Sequence, residues 1–116
     1  MNKKRVHTPE GVRDVYGTEY GQRSKLKAKL NKVFASYGYE GIRTPGFEFF
    51  DVFNSEKGTV SAREMFKFFD REGNTLVLRP DVTPSIARCI AKYFNEENMG
   101  IRLSYAGNVF LNNSSY

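Results

Sequence analysis

The feature that most constrains the fold of this 116-residue chain is the abrupt change, between residues 76 and 84, from an apolar strand segment to residues typical of a helix start. Leu76-Val77-Leu78 is continuously apolar, which is typical of a strand covered on both faces. Thr83-Pro84 follows shortly after. Because threonine is a good N-cap and proline is preformed for the first helical position, we expect a helix to begin there. A buried strand that leads directly into a helix predicts a packed domain containing both.

Apolar spacing predicts two amphipathic helices. The first covers residues 19–37 and ends at Gly38, which accepts the left-handed backbone of a helix end. Its apolar stripe consists of Leu26, Leu30, Val33, Phe34 and Tyr37. The second begins at Thr83, and its apolar stripe consists of Ile86, Ile90, Tyr93 and Phe94. Cys89 lies beside this stripe and is expected to be a small core residue.

Strands are predicted at residues 39–43, 65–69, 75–79 and 101–106, and the turn residues 70–74 make the middle pair an antiparallel hairpin. The aromatic residues of segment 47–53 are expected in the core or at a subunit interface. Residues 54–63 are expected to form a loop. The fold class expected is α+β, an antiparallel sheet flanked by two helices. The strand at 101–106 runs into a turn with no partner strand after it, so we expect a piece of a longer protein.

Composition excludes several classes of site. One cysteine and one histidine exclude an internal disulfide, a multi-cysteine zinc site and a paired-histidine metal site, and no cofactor is predicted. No run approaches a membrane span and no signal peptide opens the chain, so a soluble cytoplasmic protein is expected. The net charge is +5. The basic clusters at residues 3–5 and 23–32 indicate either a solvated surface or a nucleic-acid footprint.

The strand-to-helix connection also holds the candidate ligand residues. Asp81 could accept hydrogen bonds from an ammonium group, and Thr83 could bond the same group; alternatively, both residues only cap the helix. Glu48, among aromatic residues, could be a ligand carboxylate or the partner of Arg43 in a salt bridge. The polar loop at residues 10–14 is either a site or plain surface.

The order of these segments resembles the N-terminal part of the class II aminoacyl-tRNA synthetase catalytic domain, in its histidyl-tRNA synthetase form. The likeness covers nearly the whole chain and predicts one partial domain over residues 1–116, with motif 1, the first half of motif 2 and no motif 3. Four segments carry the likeness: PEGVRDVYG, GYEGIRTPGFEFFDVF, MFKFFDREGNTLVLRPDVTPSIARCIA and IRLSYAGNVF.

The resemblance implies roles for individual residues. Pro45 matches the proline of motif 1, the dimerisation element, so Pro45 and its neighbours Phe47 and Phe49 are expected at a dimer interface. Asp81 and Thr83 match the Glu and Thr that contact the amino group of histidine in this family. Aspartate keeps the charge but is one methylene shorter.

Motif 2 departs from the synthetase pattern at two positions. The synthetases carry an arginine that grips the ATP α-phosphate and, two residues later, a glutamate; this chain has Leu111 and Asn113. Leucine can neither donate a hydrogen bond nor carry charge. Losing one preorganised donor of this kind costs roughly 2.7–4 kcal/mol of transition-state stabilisation. These two positions are therefore predicted to be a degenerate ATP site.

Together with the LRPDVTPSIAR form of the helix start, this departure resembles the regulatory subunits of ATP phosphoribosyltransferase, the first enzyme of histidine biosynthesis. The resemblance implies a non-catalytic protein that binds the catalytic subunit as a homodimer within a hetero-oligomer, mediates activation, and takes histidine as effector; tRNA is not an expected partner. Two alternatives are a fragment of an active histidyl-tRNA ligase and a purely structural dimerisation module.

Overall fold

The computed structural model describes residues 6–54, 60–94 and 100–113, and these form two compact units, Met1–Glu40 and Gly41–Tyr116. The predicted basic cluster at residues 3–5 and the end of the turn-rich tail at 114–116 lie outside the described residues. No helix in the described ranges is both long enough and apolar enough to cross a membrane.

The first unit contains helix α1, Gly17–Ser36, which confirms the predicted helix and begins two residues before its expected start. Gly38 has φ +81°, the left-handed conformation predicted for the helix stop, and its N–H donates to the carbonyl of Ala35. The predicted apolar stripe is exposed along its length, from 39% at Phe34 to 67% at Tyr37. The basic residues at 23–32 are exposed as well.

The polar loop at residues 10–14 is tied to this helix. Both guanidinium nitrogens of Arg13 donate to the carboxylate of Glu19, at 2.7 and 2.6 Å, and Arg23 lies 3.3 Å from the same carboxylate. The hydrogen bond from Arg13 lowers the pKa of Glu19 to about 2. Arg13 therefore anchors the loop to the start of α1.

The second unit is built on a three-stranded antiparallel sheet in the order β2-β4-β3. Its strands are β2 (Phe47–Phe49), β3 (Lys67–Phe69) and β4 (Thr75–Leu78). Helix α2, Thr83–Tyr93, follows β4 directly. Two short strands, β1 (Glu40–Gly41) and β5 (Leu103–Ser104), form a second sheet. The α+β class, the antiparallel sheet and the hairpin are confirmed.

Asp70 organises the predicted hairpin turn. Its carboxylate accepts hydrogen bonds from the backbone N–H of Glu72 and from the backbone and side-chain amides of Asn74, each at 2.9 Å. The side-chain bond from Asn74 is the main reason that the pKa of Asp70 lies below its usual value. Gly73, with φ +83°, supplies the left-handed residue that closes the turn.

The core is centred on Val77, the fully buried middle residue of β4, and on Phe53 and Met65. Leu76, on the opposite face of β4 from Val77, is also buried, so both faces of this strand bury a side chain, as its continuous apolar run predicts. Phe50, Val52 and Val60 pack around this core, and residues 50–52 form a 3-10 turn.

Several sequence-based expectations need correction. Two predicted strands, 39–43 and 101–106, contribute only the two residues each of β1 and β5. The predicted loop at 54–63 contains a 3-10 turn at Ala62–Glu64, and its residues 55–59 lie outside the described part. Tyr93 is 64% exposed although it belongs to the predicted stripe of α2. For the two strands and for Tyr93 the local pattern is present, but the described residues do not supply the neighbours that would extend the strands or cover the side chain.

Candidate ligand site

Arg79, the first residue after β4, connects three segments of the second unit. Its backbone N–H donates to the Gly46 carbonyl and its own carbonyl accepts from the Phe110 N–H, both at 2.9 Å. The side-chain Nε donates to the Asn108 carbonyl at 2.6 Å, and Nη1 donates to the Thr44 carbonyl at 3.2 Å. Local sequence pattern assigns no role to this arginine, because its partners are 29 and 35 residues away along the chain.

Gly107 makes room for this guanidinium. A Cβ atom at position 107 would lie 2.5 Å from Nη2 of Arg79, closer than any real contact allows. Gly107 therefore leaves the space that the Arg79 guanidinium occupies, and the bonds of Arg79 to Asn108 and Phe110 hold the backbone between β5 and residue 111.

Asp81 and Thr83 lie together at the start of α2, as the sequence predicts. Oδ1 of Asp81 accepts a hydrogen bond from the Thr83 N–H at 3.2 Å, so Asp81 satisfies one free donor of the helix terminus. The expected N-cap role of Thr83 is wrong. Thr83 is the first helical residue, the N-cap is Val82, and the Val82 side chain makes no capping bond. The Thr83 hydroxyl is therefore not used by the helix.

The Thr83 hydroxyl instead faces a residue that sequence analysis placed only on a strand. Oγ1 of Thr83 lies 3.4 Å from the hydroxyl oxygen of Tyr105. Tyr105 directly follows β5, whose Ser104 carbonyl accepts from the Ile42 N–H at 2.9 Å. Three polar side chains from two elements, Asp81, Thr83 and Tyr105, thus form one cluster. Asp81 is half-buried and the two hydroxyl residues are exposed.

Leu111 and Asn113 lie on the segment that Arg79 holds. The Phe110 N–H bonds to Arg79 on one side of Leu111, and the Asn112 N–H donates to the Glu64 carbonyl at 2.7 Å on the other. The Leu111 side chain is 45% exposed, and Asn113 is exposed too. Neither side chain brings a positive charge to this segment.

A profile of the family described as Histidyl-tRNA synthetase matches residues 11–115. The chain belongs to the histidyl-tRNA synthetase family. The fold agrees: a solved ATP phosphoribosyltransferase regulatory subunit/histidyl-tRNA synthetase from Bacillus halodurans superimposes with a TM-score of 0.81 at 31% identity, over 91% of this chain and 28% of that one. Apo histidyl-tRNA synthetase from S. aureus gives a TM-score of 0.76 at 30% identity, over 90% of this chain and 29% of that one.

Curated relatives of this family member carry a more specific name. The protein from Acetivibrio thermocellus, named ATP phosphoribosyltransferase regulatory subunit, is 42% identical over 110 residues, or 95% of this chain. The protein of the same name from Clostridium acetobutylicum is 38% identical over 115 residues, or 99% of this chain. The chain spans 26% and 28%, respectively, of the length of these two relatives.

Glu48, a candidate from the motif 1 segment of this family member, has a different partner from the one expected. It is buried in the middle of β2 and pairs with Arg88 of α2, not with Arg43. Its second oxygen, Oε2, is buried without a hydrogen-bond partner in the described part of the chain. The expected salt bridge to Arg43 is therefore wrong, and the carboxylate is an internal link between β2 and α2.

The motif 1 residues expected at a dimer interface lie on the opposite face of the same sheet. Phe47 and Phe49 flank Glu48 and are 50% and 56% exposed, and Pro45 is exposed before them. Cross-strand partners share a face, so this apolar face continues across Leu78, Leu76 and Phe68. Within residues 6–54, 60–94 and 100–113, no group of His, Cys, Asp or Glu is placed to hold a metal ion.

Proposed function

We propose that this chain is the N-terminal part of a regulatory, non-catalytic subunit of ATP phosphoribosyltransferase, acting in the first step of histidine biosynthesis. The observation that carries the proposal is Leu111 at the position where the synthetases of this family have their ATP-binding arginine. The names of the curated relatives support the same role.

The backbone around Leu111 strengthens this argument. Hydrogen bonds on both sides of the residue, from Phe110 to Arg79 and from Asn112 to Glu64, hold the segment in place. An aliphatic side chain at a held position cannot replace a guanidinium, which donates in a fixed planar fork and stabilises charge on phosphate oxygens. Adenylate formation from ATP is therefore the step that this protein is proposed to lack.

The same protein is proposed to bind histidine as its effector through Asp81 and Thr83. A carboxylate beside a hydroxyl suits an α-ammonium group, because ammonium offers three donors and a positive charge. The helix N-terminus carries roughly half a positive charge, which acts against a cation. The full negative charge of Asp81 outweighs it, so the carboxylate is essential to the site.

The proposed assembly is a homodimer that binds the catalytic subunit of ATP phosphoribosyltransferase. Pro45, Phe47 and Phe49 form the proposed dimer surface, since solvent-exposed phenylalanines on one sheet face are typical of an interaction site. Residues 1–116 are proposed to supply motif 1 and the first half of motif 2 of a larger synthetase-like domain. Motif 3 and the remainder of motif 2 are proposed to lie beyond them in the whole protein.

The decisive test is ATP–pyrophosphate exchange by the full-length protein in the presence of histidine, with a histidyl-tRNA synthetase as positive control. We expect no exchange above the enzyme-free background. Robust exchange would contradict the proposal and favour the second candidate, an active histidyl-tRNA ligase, which the family profile and the S. aureus structure support.

A second experiment tests the effector and partner. Calorimetry on the full-length protein should detect histidine binding that Asp81→Asn abolishes and Glu72→Gln retains, since Glu72 is an exposed turn residue whose charge is removed in the same way. Added catalytic subunit should gain phosphoribosyltransferase activity, and histidine should suppress it. Absence of both histidine binding and stimulation would favour a purely structural dimerisation module.

A further inference from the structure

The second unit contains buried polar side-chain atoms that have no hydrogen-bond partner among the described residues. They are Oγ1 of Thr44, Oε2 of Glu48, Oγ of Ser85 and Nε of Arg88. Buried polar groups in proteins are nearly always hydrogen-bonded, so such exceptions need a physical explanation. Three of these atoms belong to β2 and α2, two elements that meet through the ion pair of Glu48 and Arg88. The contact between β2 and α2 is therefore the place where hydrogen bonds are missing.

The ion pair itself leaves one donor and one acceptor unused. Nε of Arg88 lies 2.8 Å from Oε1 of Glu48, but its N–H is not directed at that oxygen well enough to form a hydrogen bond. The two charges compensate each other while this N–H stays available as a donor. The other carboxylate oxygen of Glu48, Oε2, is an acceptor without a donor in the described ranges, and the residue is buried.

Ser85 adds a third unused group from the same side of α2. It lies three residues before Arg88, and side chains three apart on a helix are neighbours, with about 5–6 Å between their Cβ atoms. Ser85 is fully buried, and its hydroxyl bonds to no group in the described part of the chain. A serine at such a position is unfavourable unless its hydroxyl finds a partner, because burial removes it from solvent.

We propose that one internal water molecule bridges Glu48, Ser85 and Arg88 between β2 and α2. The water oxygen accepts from the Nε–H of Arg88, and its two hydrogens are donated to Oε2 of Glu48 and Oγ of Ser85. Buried waters typically make about three hydrogen bonds to groups that are otherwise unsatisfied. A neutral ligand fits better than a cation, since Arg88 already compensates the charge of Glu48. This site concerns the packing of α2 on the sheet and is independent of the proposed function.

The first test is a high-resolution crystal structure of the full-length protein. We expect an ordered water within hydrogen-bond distance, about 2.5–3.2 Å, of Oε2 of Glu48, Oγ of Ser85 and Nε of Arg88. Two results would overturn the proposal: a side chain from the remainder of the chain occupying this place, or a direct hydrogen bond from Ser85 to Glu48 with no water between them.

The second test is the sign of the stability change in Ser85→Ala, measured by urea unfolding of the full-length protein. Ser24→Ala is the matched control, because Ser24 is an exposed residue of α1 and reports the general effect of alanine in a helix. Relative to this control, Ser85→Ala should raise the unfolding equilibrium constant about fivefold, the loss typical of one hydrogen bond. An unchanged or lower constant would contradict the proposal, since removing an unpaired buried hydroxyl stabilises a protein.

Discussion

The Nε atom of Arg88 on α2 lies 2.8 Å from Oε1 of Glu48 in the middle of β2. The Glu48 side chain is 8% exposed, whereas that of Arg88 is 32% exposed. A buried carboxylate that loses its cation bears an uncompensated desolvation cost. This pair therefore links α2 to the sheet through a charge contact with a buried carboxylate.

Arg88→Ala is expected to lower the free energy of unfolding by about 3 kcal/mol, the low end for a broken buried pair because the arginine is partly solvated. Urea unfolding of the full-length protein should show a lower midpoint at an unchanged slope. Lys92→Ala, one turn further along α2 and exposed, is the control and should change stability by less than about 0.5 kcal/mol.

A double variant identifies the source of that loss. Glu48→Leu combined with Arg88→Met removes both charges and keeps the side-chain volume roughly constant, so it should recover most of the stability. If the double variant were as unstable as Arg88→Ala, the buried carboxylate would not be the cause.

Gly107→Ala is expected to displace the Arg79 guanidinium, because the new methyl group would lie 2.5 Å from Nη2. The arginine can move, but it then loses its bonds to Asn108 and Thr44, at a cost of about 1.5 kcal/mol in unfolding free energy. Adding Gly107→Ala to Arg79→Ala should cost nothing further. Gly41→Ala, whose methyl group would meet no atom within 4 Å, is the control.

The exposed phenylalanines of β2 are expected to mediate self-association. Phe47→Ser with Phe49→Ser should shift the full-length protein toward monomer in sedimentation velocity experiments. Phe69→Ser is the matched control, since Phe69 is 71% exposed but pairs with Thr75 and so lies on the opposite face of the same sheet. A strict wild-type monomer at high concentration would refute the dimer proposal, as would equal dissociation by the control.

The carboxyl of Glu19 is expected to titrate near pH 2 in the wild-type protein, because Arg13 lowers its pKa from an ordinary value of 4.5 to about 2. A depressed acid pKa means that the ion pair stabilises the folded state above about pH 4.5 and that this contribution is lost as the pH falls toward 2. NMR titration should show the Glu19 midpoint return toward 4.5 in Arg13→Ala. Arg23→Ala, which removes the weaker contact, should move it much less.

Local sequence patterns predicted the elements that are specified by residues close together along the chain. The hairpin of β3 and β4 follows from two short apolar segments on either side of the Asp70–Asn74 turn, and α1 follows from its spacing and from Gly38. The closeness of Asp81 and Thr83 was also predictable from sequence, since the strand end and the helix start adjoin along the chain. Tyr105 and Arg79 were not, because their partners in the site are distant in sequence.

By itself the sequence determined only that Phe47, Glu48 and Phe49 belong to an aromatic-rich segment of core or interface; the structure places them in β2, where successive side chains point in opposite directions. Only the tertiary structure decided which face is covered. The charged residue is buried and the two aromatic residues are exposed, the reverse of what hydrophobicity alone suggests. The physical reason is Arg88: a cation from a helix 40 positions later compensates the buried carboxylate, and no local pattern can reveal a contact at that separation.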